Sequence, residues 1–315
     1  MLAPPLVGAA TSFAVRGVAC PGCEVEIYSG GQGEGRQFEG SALADDNGRF
    51  VLETTVPMTG PRLTETATNF RQGTSEFSFP VSLIASAARL VCVSAASYTR
   101  NILAPGSIVA AFGSRLVEGT GRTDLPLPES SAGVSVKVVD ATRIEKPARL
   151  YFVSPSQVNF VLPEDAATGW AVVRLLSATG EVHVCPIEIA RVAPGLFTAS
   201  GSGRGPAAGT ILRVSSDGSQ TYESLDRPID LGSETDRVYL LLYGTGIRGR
   251  ISLEAVEVNV GGVRAPVTYA GPQSQFPGLD QANVLLPQML RGRGEVEVSL
   301  VADGQPANPV RVSIR

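Results

Sequence analysis

The sequence predicts an all-β protein in which β-sandwich domains follow one another along the chain, and three observations support this. Short runs of β-branched and aromatic residues alternate with polar residues, as expected for half-buried strands. The 35 glycines and 22 prolines are scattered between these runs, which is typical of many strands joined by many turns. Most of the chain also consists of two copies of one unit of about 90 residues. With 43% hydrophobic residues in 315, the chain can fill several cores.

Charge and hydropathy exclude several classes of partner. The net charge of −4 gives no general attraction to nucleic acid or to anionic lipid. No apolar run reaches the length of about 18 residues that spans a bilayer, so no membrane insertion is predicted. The opening MLAPPLVGAATSFAV lacks a basic segment, and Pro4 and Pro5 interrupt its apolar stretch, so no export signal is visible. We expect the chain to be the C-terminal part of a longer protein that begins upstream of Met1.

Residues 1–84 predict the first sandwich. Its strands are indicated by alternating runs over 13–82, namely CEVEIYS, RQFEGSALA, RFVLETTV, LTETATNF and SEFSFPVSL. The turn DDNG joins the second of these runs to the third.

Residues 85–200 and 201–315 predict two further sandwiches, which are copies of one unit. Three blocks align in order: PGSIVAAFGSRL with TDRVYLLLYGTGI, GVSVKVVDATRIEKPARLYFVSPSQVNFVLP with AVEVNVGGVRAPVTYAGPQSQFPGLDQANVLLP, and GWAVVRLLSATGEVHVCPIEIA with GEVEVSLVADGQPANPVRVSI. The second copy is preceded by a hairpin predicted to turn at SSDGS. Matched positions are predicted to share a core face: Val134 with Val256, Val136 with Val258, Val158 with Ala282, and Phe160 with Val284.

The segment G-T-G-I-R-G, residues 244–249, matches the glycine spacing of a dinucleotide-binding loop. Such a loop opens a helix whose N–H groups hold the pyrophosphate. Here a strand pattern, RISLEAVEVNV, follows, and the first copy has FGSRL at the aligned position, so the spacing is not repeated. We therefore interpret the glycines as turn residues that allow a positive φ, and we expect no cofactor.

Two family resemblances rest on longer motifs. The segments VSAASY, LAPGSIVAAFGSRL, VSPSQVNFVLP, VAPGLFTASGSGRGPAA and LLYGTGI occur within about 90–315, and there the chain resembles the paired IPT/TIG-like immunoglobulin-fold repeats of a family of uncharacterised secreted, mainly acidobacterial proteins. The segments VRGVACPGCEVEIYSGG and ETATNFRQGTSEFS, within about 12–79, resemble an immunoglobulin-like module that often follows bacterial parallel β-helices. The resemblance implies three immunoglobulin-like sandwiches, extracellular placement and no catalytic residues.

Cys20 and Cys23 form a C-x-x-C motif with three interpretations. A redox pair needs the start of a helix in a thioredoxin-like context, whereas the strand EVEIYS follows here. A zinc site needs four ligands, and the remaining candidates lie in another predicted domain. A disulfide that closes a tight turn is the leading interpretation.

Cys92 and Cys185 lie in the first and last strands of the first repeat. The first and last strands of immunoglobulin-like sandwiches are commonly neighbours, so we expect both strands at one sheet edge and a disulfide between them. Two disulfides would fit export, because disulfides persist outside the cytosol.

Catalytic and metal sites find little support. His183 and Cys185 share a strand face by their spacing of two, but no orienting group or oxyanion site is recognisable beside them. The acidic residues of ADDNGRF do not follow the spacing of a calcium loop, and Asp-Asn-Gly is first of all a turn. We predict no enzyme and no metal site.

Aromatic residues supply the one candidate ligand contact. A sugar-stacking platform is conceivable from Trp170 with Tyr98, Tyr151, Tyr243 and Tyr269, although most of these rings are expected in cores. Trp170 aligns with Glu295 of the second repeat, a position expected to be exposed, so it is the candidate contact. Arginines near loops, namely Arg248, Arg250, Arg291 and Arg293, could form an anion-binding patch, but a solvated rim is the leading interpretation.

These observations predict a secreted or surface-displayed, non-enzymatic structural or adhesion module whose partner is an extracellular protein or polysaccharide. The alternative is a carbohydrate-binding accessory of a secreted enzyme. Aromatic residues clustered on one sandwich face would favour the alternative, and polar faces with a large contact between domains would favour a spacer.

Overall fold

The structure is a computed structural model, and it describes residues 2–30, 35–99 and 102–315. Nearly every regular element in these ranges is a strand, and the strands form six sheets grouped as three successive β-sandwiches. The predicted all-β fold of tandem sandwiches is therefore confirmed. Within the described ranges, helical structure is limited to the 3₁₀ turn Gln288–Leu290, and no helix is long and apolar enough to cross a membrane.

The first sandwich packs two sheets with the orders β1-β2-β5 and β4-β3-β6-β7, and β8 pairs with β6. Its core contains Val15, Ile27, Phe50 and Leu63, all 0–1% exposed. The strands are β1 (Leu6–Thr11), β2 (Ala14–Val18), β3 (Glu24–Ser29), β4 (Gln37–Leu43), β5 (Arg49–Glu53), β6 (Arg62–Asn69), β7 (Gly73–Thr74) and β8 (Val81–Ser82).

The second sandwich has the sheet orders β12-β16-β17-β11-β9 and β10-β19-β18-β14-β13, and β15 pairs with β14. The strands are β9 (Val91–Ser94), β10 (Ile102–Leu103), β11 (Ile108–Phe112), β12 (Gly121–Arg122), β13 (Ser130–Ser131), β14 (Val134–Val139), β15 (Glu145–Pro147), β16 (Arg149–Val153), β17 (Gln157–Val161), β18 (Gly169–Leu176) and β19 (Val182–Ile189).

The third sandwich has the sheet orders β22-β21-β23-β27-β26 and β25-β24-β28-β29, with β20 on β23 and β30 on β28. The strands are β20 (Gly195–Leu196), β21 (Gly209–Val214), β22 (Gln220–Ser224), β23 (Arg237–Thr245), β24 (Val256–Val260), β25 (Val263–Ala265), β26 (Val267–Pro272), β27 (Asp280–Leu285), β28 (Gly294–Ala302), β29 (Gln305–Pro306) and β30 (Val310–Ile314). Because β20 pairs with β23, this sandwich begins before the break predicted near residue 200. The strands β21 and β22 form the hairpin predicted at SSDGS.

The second and third sandwiches repeat the same central pairings. In the second, β11 pairs with β17 and β17 with β16; in the third, β23 pairs with β27 and β27 with β26. Both outer pairs contain a bulge at the same place, between Leu150 and Phe152 and between Val267 and Tyr269. The eight matched apolar positions are buried in the two cores, with exposed fractions of at most 4%. Period-two alternation identified them because only one face of each strand meets the opposite sheet.

The first sandwich packs on the outer face of the β18–β19 sheet. A side chain at Gly8 in β1 would overlap the Trp170 ring in β18, so the ring lies directly on the β1 backbone. Ala9, Val172 and Val184 form a small buried cluster in the same contact.

Ion pairs border this contact. Arg49 in β5 donates to Glu188 in β19 at 2.8 Å. Glu53 at the end of β5 pairs with Arg16 at 3.6 Å and with Arg89 at 2.5 Å, and the Arg16 side chain is only 3% exposed. A charge buried this far is tolerated because it is paired, so the interface is specific as well as apolar.

The second and third sandwiches meet through hydrogen bonds between loops and strand ends. The Ile108 N–H donates to Thr245 Oγ1 at 2.8 Å, and that hydroxyl donates to the Gly278 carbonyl at 2.7 Å. Tyr151 donates its hydroxyl hydrogen to the Pro277 carbonyl at 2.6 Å. Arg248 bridges the same boundary, 3.0 Å from Glu164.

Candidate functional site

The loop at 244–249 is a packed turn. Gly246 has a φ of 75°, which a residue with a side chain adopts only at a cost. A side chain there would also overlap the carbonyl oxygen of Ala193. The glycine is thus required by the turn and by the close approach of a second backbone segment.

The amide groups of this loop bind a carboxylate that belongs to the protein. Asp280 Oδ2 accepts from the Ile247 N–H at 2.7 Å and from the Arg248 N–H at 3.2 Å. Asp280 Oδ1 accepts from Arg248 Nε at 2.8 Å. The carboxyl is fully buried, and its burial raises the pKa of Asp280 against the opposing effect of Arg248. The donors that a phosphate would need are therefore already used.

Cys20 and Cys23 are joined by a disulfide across the turn between β2 and β3, with Cα atoms 5.4 Å apart. Cys23 is fully buried. The disulfide closes the tight turn at which it was predicted.

Cys92 and Cys185 differ from the prediction. They are free, buried thiols, and their strands, β9 and β19, belong to the two opposite sheets of the second sandwich instead of one sheet edge. Their side chains therefore meet across the core, where the Cys92 N–H donates to Cys185 Sγ at 3.1 Å. Burial raises the pKa of the Cys92 thiol well above its ordinary value. Both residues pack as small apolar side chains in the core.

His183 lies in the same core face as Cys185 but is 0% exposed. Its nearest acidic group is Glu181, 3.8 Å away, and burial lowers the pKa of the imidazole. Since this is the single histidine of the chain, its burial removes the obvious general base from solvent.

The acidic residues stabilise turns. Asp45 Oδ1 accepts from the Asn47 N–H at 2.9 Å and from the Arg49 N–H at 2.8 Å, which closes the DDNG turn. Over the described ranges, no group of three or more histidine, cysteine or acidic residues is arranged to hold a metal ion.

Trp170 does not occupy the exposed position predicted for a ligand contact. The ring lies half-buried against Gly8, in the contact between the first and second sandwiches. The alignment with Glu295 misled because a neighbouring domain covers this face in one copy only.

The loop arginines do not form one patch. Arg248 is only 13% exposed and is held by ion pairs, whereas Arg291 and Arg293 donate to the carbonyls of Gly232 and Gly261. Their hydrogen bonds fix loops of the third sandwich.

A groove of about 660 Å³ lies between the second and third sandwiches. Its floor is the outer face of the β16–β17–β11 sheet, and its aromatic lining combines rings from both sides of the boundary. The lining is Ala95, Ile108, Arg122, Thr123, Asp124, Leu125, Tyr151, Phe152, Gln157, Asn159, Phe197 and Phe276. A volume of this size, with mixed aromatic and polar walls, is typical of small-ligand sites.

One cross-strand row crosses the floor of this groove. Arg122 in β12 lies opposite Phe152 in β16, and Phe152 lies opposite Asn159 in β17. Gln157 Nε2 donates to Asn159 Oδ1 at 2.8 Å, so the two amides orient each other. We call Phe152, Gln157 and Asn159 the first aromatic–amide set.

The third sandwich repeats this arrangement. Tyr269 in β26 lies opposite Asn283 in β27, and Gln281 Nε2 donates to Asn283 Oδ1 at 2.7 Å. We call these three residues the second aromatic–amide set. On the same face, Tyr239 and Tyr243 lie in β23, so this copy opens onto a tyrosine-rich sheet surface.

Sequence reasoning named Tyr151, Tyr243 and Tyr269 as conceivable platform members but missed both amide pairs. The available signal was the shared Q-x-N motif in SQVNFVLP and DQANVLLP. Phe197 and Phe276 carry no such signal, because each reaches the groove from a loop.

The chain has low sequence identity to the proteins of known structure that it resembles. No protein-family model and no curated protein matches this sequence. Among solved structures, the chain is similar to SGBP-B of the Bacteroides ovatus mixed-linkage glucan utilization locus in complex with a mixed-linkage heptasaccharide, at 12% identity and a TM-score of 0.34; the match covers 100% of this chain and 66% of that one. Tandem titin Ig domains match at 13% identity and a TM-score of 0.17, over 59% of this chain and 95% of theirs. Bovine butyrophilin matches at 11% identity and a TM-score of 0.21, over 72% of this chain and 100% of its own.

Proposed function

We propose that the protein is a non-enzymatic structural or adhesion module of a secreted or surface protein. The observation that carries this proposal is that the sandwiches contact one another directly on both sides of the second sandwich. Such contacts hold a chain of domains in a defined arrangement and project its far end from an anchoring point.

The contact between the first and second sandwiches supports this role most strongly. The Trp170 ring on Gly8, the apolar cluster around Val172, and the ion pair of Arg49 with Glu188 combine shape, apolar burial and charge. A flexible linker would need none of these features.

Export is supported by the Cys20–Cys23 disulfide, because structural disulfides persist in oxidising compartments. The non-enzymatic role is supported by the burial of His183, the single histidine, and by the hydrogen bonds that hold the Asp280 carboxylate within the fold.

The test is the rigidity of the domain array, measured by small-angle X-ray scattering of the full chain. We expect wild-type scattering to fit one arrangement of the three sandwiches. Gly8→Val inserts a side chain under Trp170 and should enlarge the radius of gyration, whereas Gly119→Val, at an open position, should leave it unchanged. Wild-type scattering that requires independently moving domains would refute the proposal.

A second candidate, a carbohydrate-binding module, is favoured by one specific observation. Aromatic rings and amide groups cluster on corresponding outer sheet faces of the second and third sandwiches.

A further inference from the structure

We infer that the two aromatic–amide sets are two copies of one binding site for a neutral, β-1,4-linked polysaccharide, and that the copy in the groove is the stronger. This inference rests on the second candidate function and names its ligand class, and it is independent of the structural role that the scattering experiment tests.

The first argument is that the arrangement is built twice. In each copy an aromatic residue just after a bulge lies opposite an asparagine, and a glutamine two residues earlier donates to that asparagine. The outer face of a sandwich sheet contributes nothing to the core, so core packing does not explain why ring, asparagine and glutamine recur together there.

The second argument comes from the hydrogen-bonding groups that each amide pair leaves unused. Within the described residues, Gln157 Oε1 and Asn159 Nδ2 take no further hydrogen bond, and the same holds for Gln281 Oε1 and Asn283 Nδ2. Each pair therefore presents a free acceptor oxygen, the glutamine Oε1, beside a free donor group, the asparagine Nδ2. Two neighbouring hydroxyl groups of a sugar ring, each both donor and acceptor, match this pair.

The third argument is the aromatic surface beside the amides. A pyranose ring with equatorial substituents has two faces of C–H groups, which stack on flat aromatic rings, while its hydroxyls point outward to polar partners. In the groove, Phe152 belongs to the floor, and Phe197 and Phe276 come from loops of the neighbouring region. Equatorial β-1,4 linkages keep successive rings in one flat ribbon, which can contact several of these side chains.

The fourth argument is charge. The groove lining contains one basic residue, Arg122, and one acidic residue, Asp124, so its formal charge is balanced. A charged polysaccharide would gain nothing from such a lining, whereas a neutral one avoids the cost of leaving a charge unpaired.

The groove gives the first copy an advantage over the second. Phe197 and Phe276 line the groove beside the first set, whereas Tyr269 of the second set is 37% exposed. An enclosed site buries more ligand surface than a flat one. Two copies on one chain would add avidity for a long polymer that reaches both.

Isothermal titration of the full chain with cellohexaose and with xylohexaose tests the inference. We expect at least one of the two to bind. Asn159→Ala should weaken binding about tenfold, because it removes the donor and releases Gln157. Phe276→Ser should weaken it by a similar factor through the loss of stacking.

The double variant Asn159→Ala/Asn283→Ala should weaken binding about tenfold at both copies. Phe79→Ser, at an aromatic residue that is 93% exposed in the chain before the second sandwich, should leave binding unchanged. Circular dichroism melting checks that each variant is folded. Failure of both oligosaccharides to bind the wild type overturns the inference. So does binding that Asn159→Ala/Asn283→Ala leaves intact in a folded protein, or binding of heparin without binding of either neutral probe.

Discussion

Glu65 provides a pH-dependent test of how the first sandwich is packed. It lies in β6 opposite Ile27 of β3, on the face directed into the core, and is 0% exposed. Ser78 donates its hydroxyl hydrogen to Glu65 Oε2, while Oε1 has no hydrogen-bond partner among the described residues. Burial raises the pKa of this carboxyl from its ordinary 4.5 to about 7, and the Ser78 hydrogen bond opposes the rise.

The sign of the pH dependence follows from proton binding. Between about pH 4.5 and pH 7 the folded state keeps the proton on Glu65 and the unfolded state has lost it, so the free energy of unfolding decreases as the pH rises. The difference of about 2.5 pH units corresponds to about 3 kcal/mol, present in full at low pH and lost by about pH 7. Glu65→Gln keeps the shape and removes the charge, so this variant should lose the dependence.

The measurement is hydrogen–deuterium exchange of the peptides that cover 62–69, at pH 4.5, 6 and 8, with rates corrected for intrinsic exchange. At pH 8, Glu65→Gln should exchange more slowly than the wild type, because its free energy of opening is higher by up to about 3 kcal/mol. At pH 4.5 the two proteins should exchange at the same rate. Glu24→Gln, at an exposed position of the neighbouring strand β3, is the matched control and should change little. Equal protection of wild type and Glu65→Gln at pH 8 would refute the burial of an ionisable carboxyl in this core.

Three further outcomes are expected. Cys92 and Cys185 should resist iodoacetamide in the native protein and give two alkylated thiols after unfolding without reductant; no alkylation after unfolding would mean that they form a disulfide. Asp280→Ala should reduce the free energy of unfolding of the third sandwich by about 3 kcal/mol, because it leaves Arg248 and two N–H groups without their buried acceptor, and chemical denaturation with no change would contradict this. Phe160→Ala should cost about 3 to 5 kcal/mol by opening a cavity in a fully buried site, and thermal unfolding at the wild-type temperature would rule this out.

Much of the fold could be predicted from local sequence. Period-two alternation is a property of each strand, so it identified the core positions at Val136 and Val258 without knowledge of the neighbouring strands. The internal repeat added the equivalence of the second and third sandwiches, and turn residues located the hairpin at SSDGS. The same local signals predicted that the glycine-rich loop at 244–249 is a turn and not a cofactor site. In the structure, the Asp280 carboxylate accepts hydrogen bonds from the amides of this loop.

The β-sandwich class and the face of each strand that turns inward could be predicted from residues two positions apart, and the duplication could be predicted from aligned blocks of sequence. Which faces meet depends on how the sheets and domains pack. Trp170 is covered because the first sandwich packs on β18, and Cys92 meets Cys185 because β9 and β19 face each other across a core. The groove depends on domain packing too, since Phe197 and Phe276 line it from loops that are distant in sequence from β17. Alternation predicts on which face of a strand a side chain lies. What covers that face depends on how the sheets and domains pack, and the spacing of residues does not contain this information.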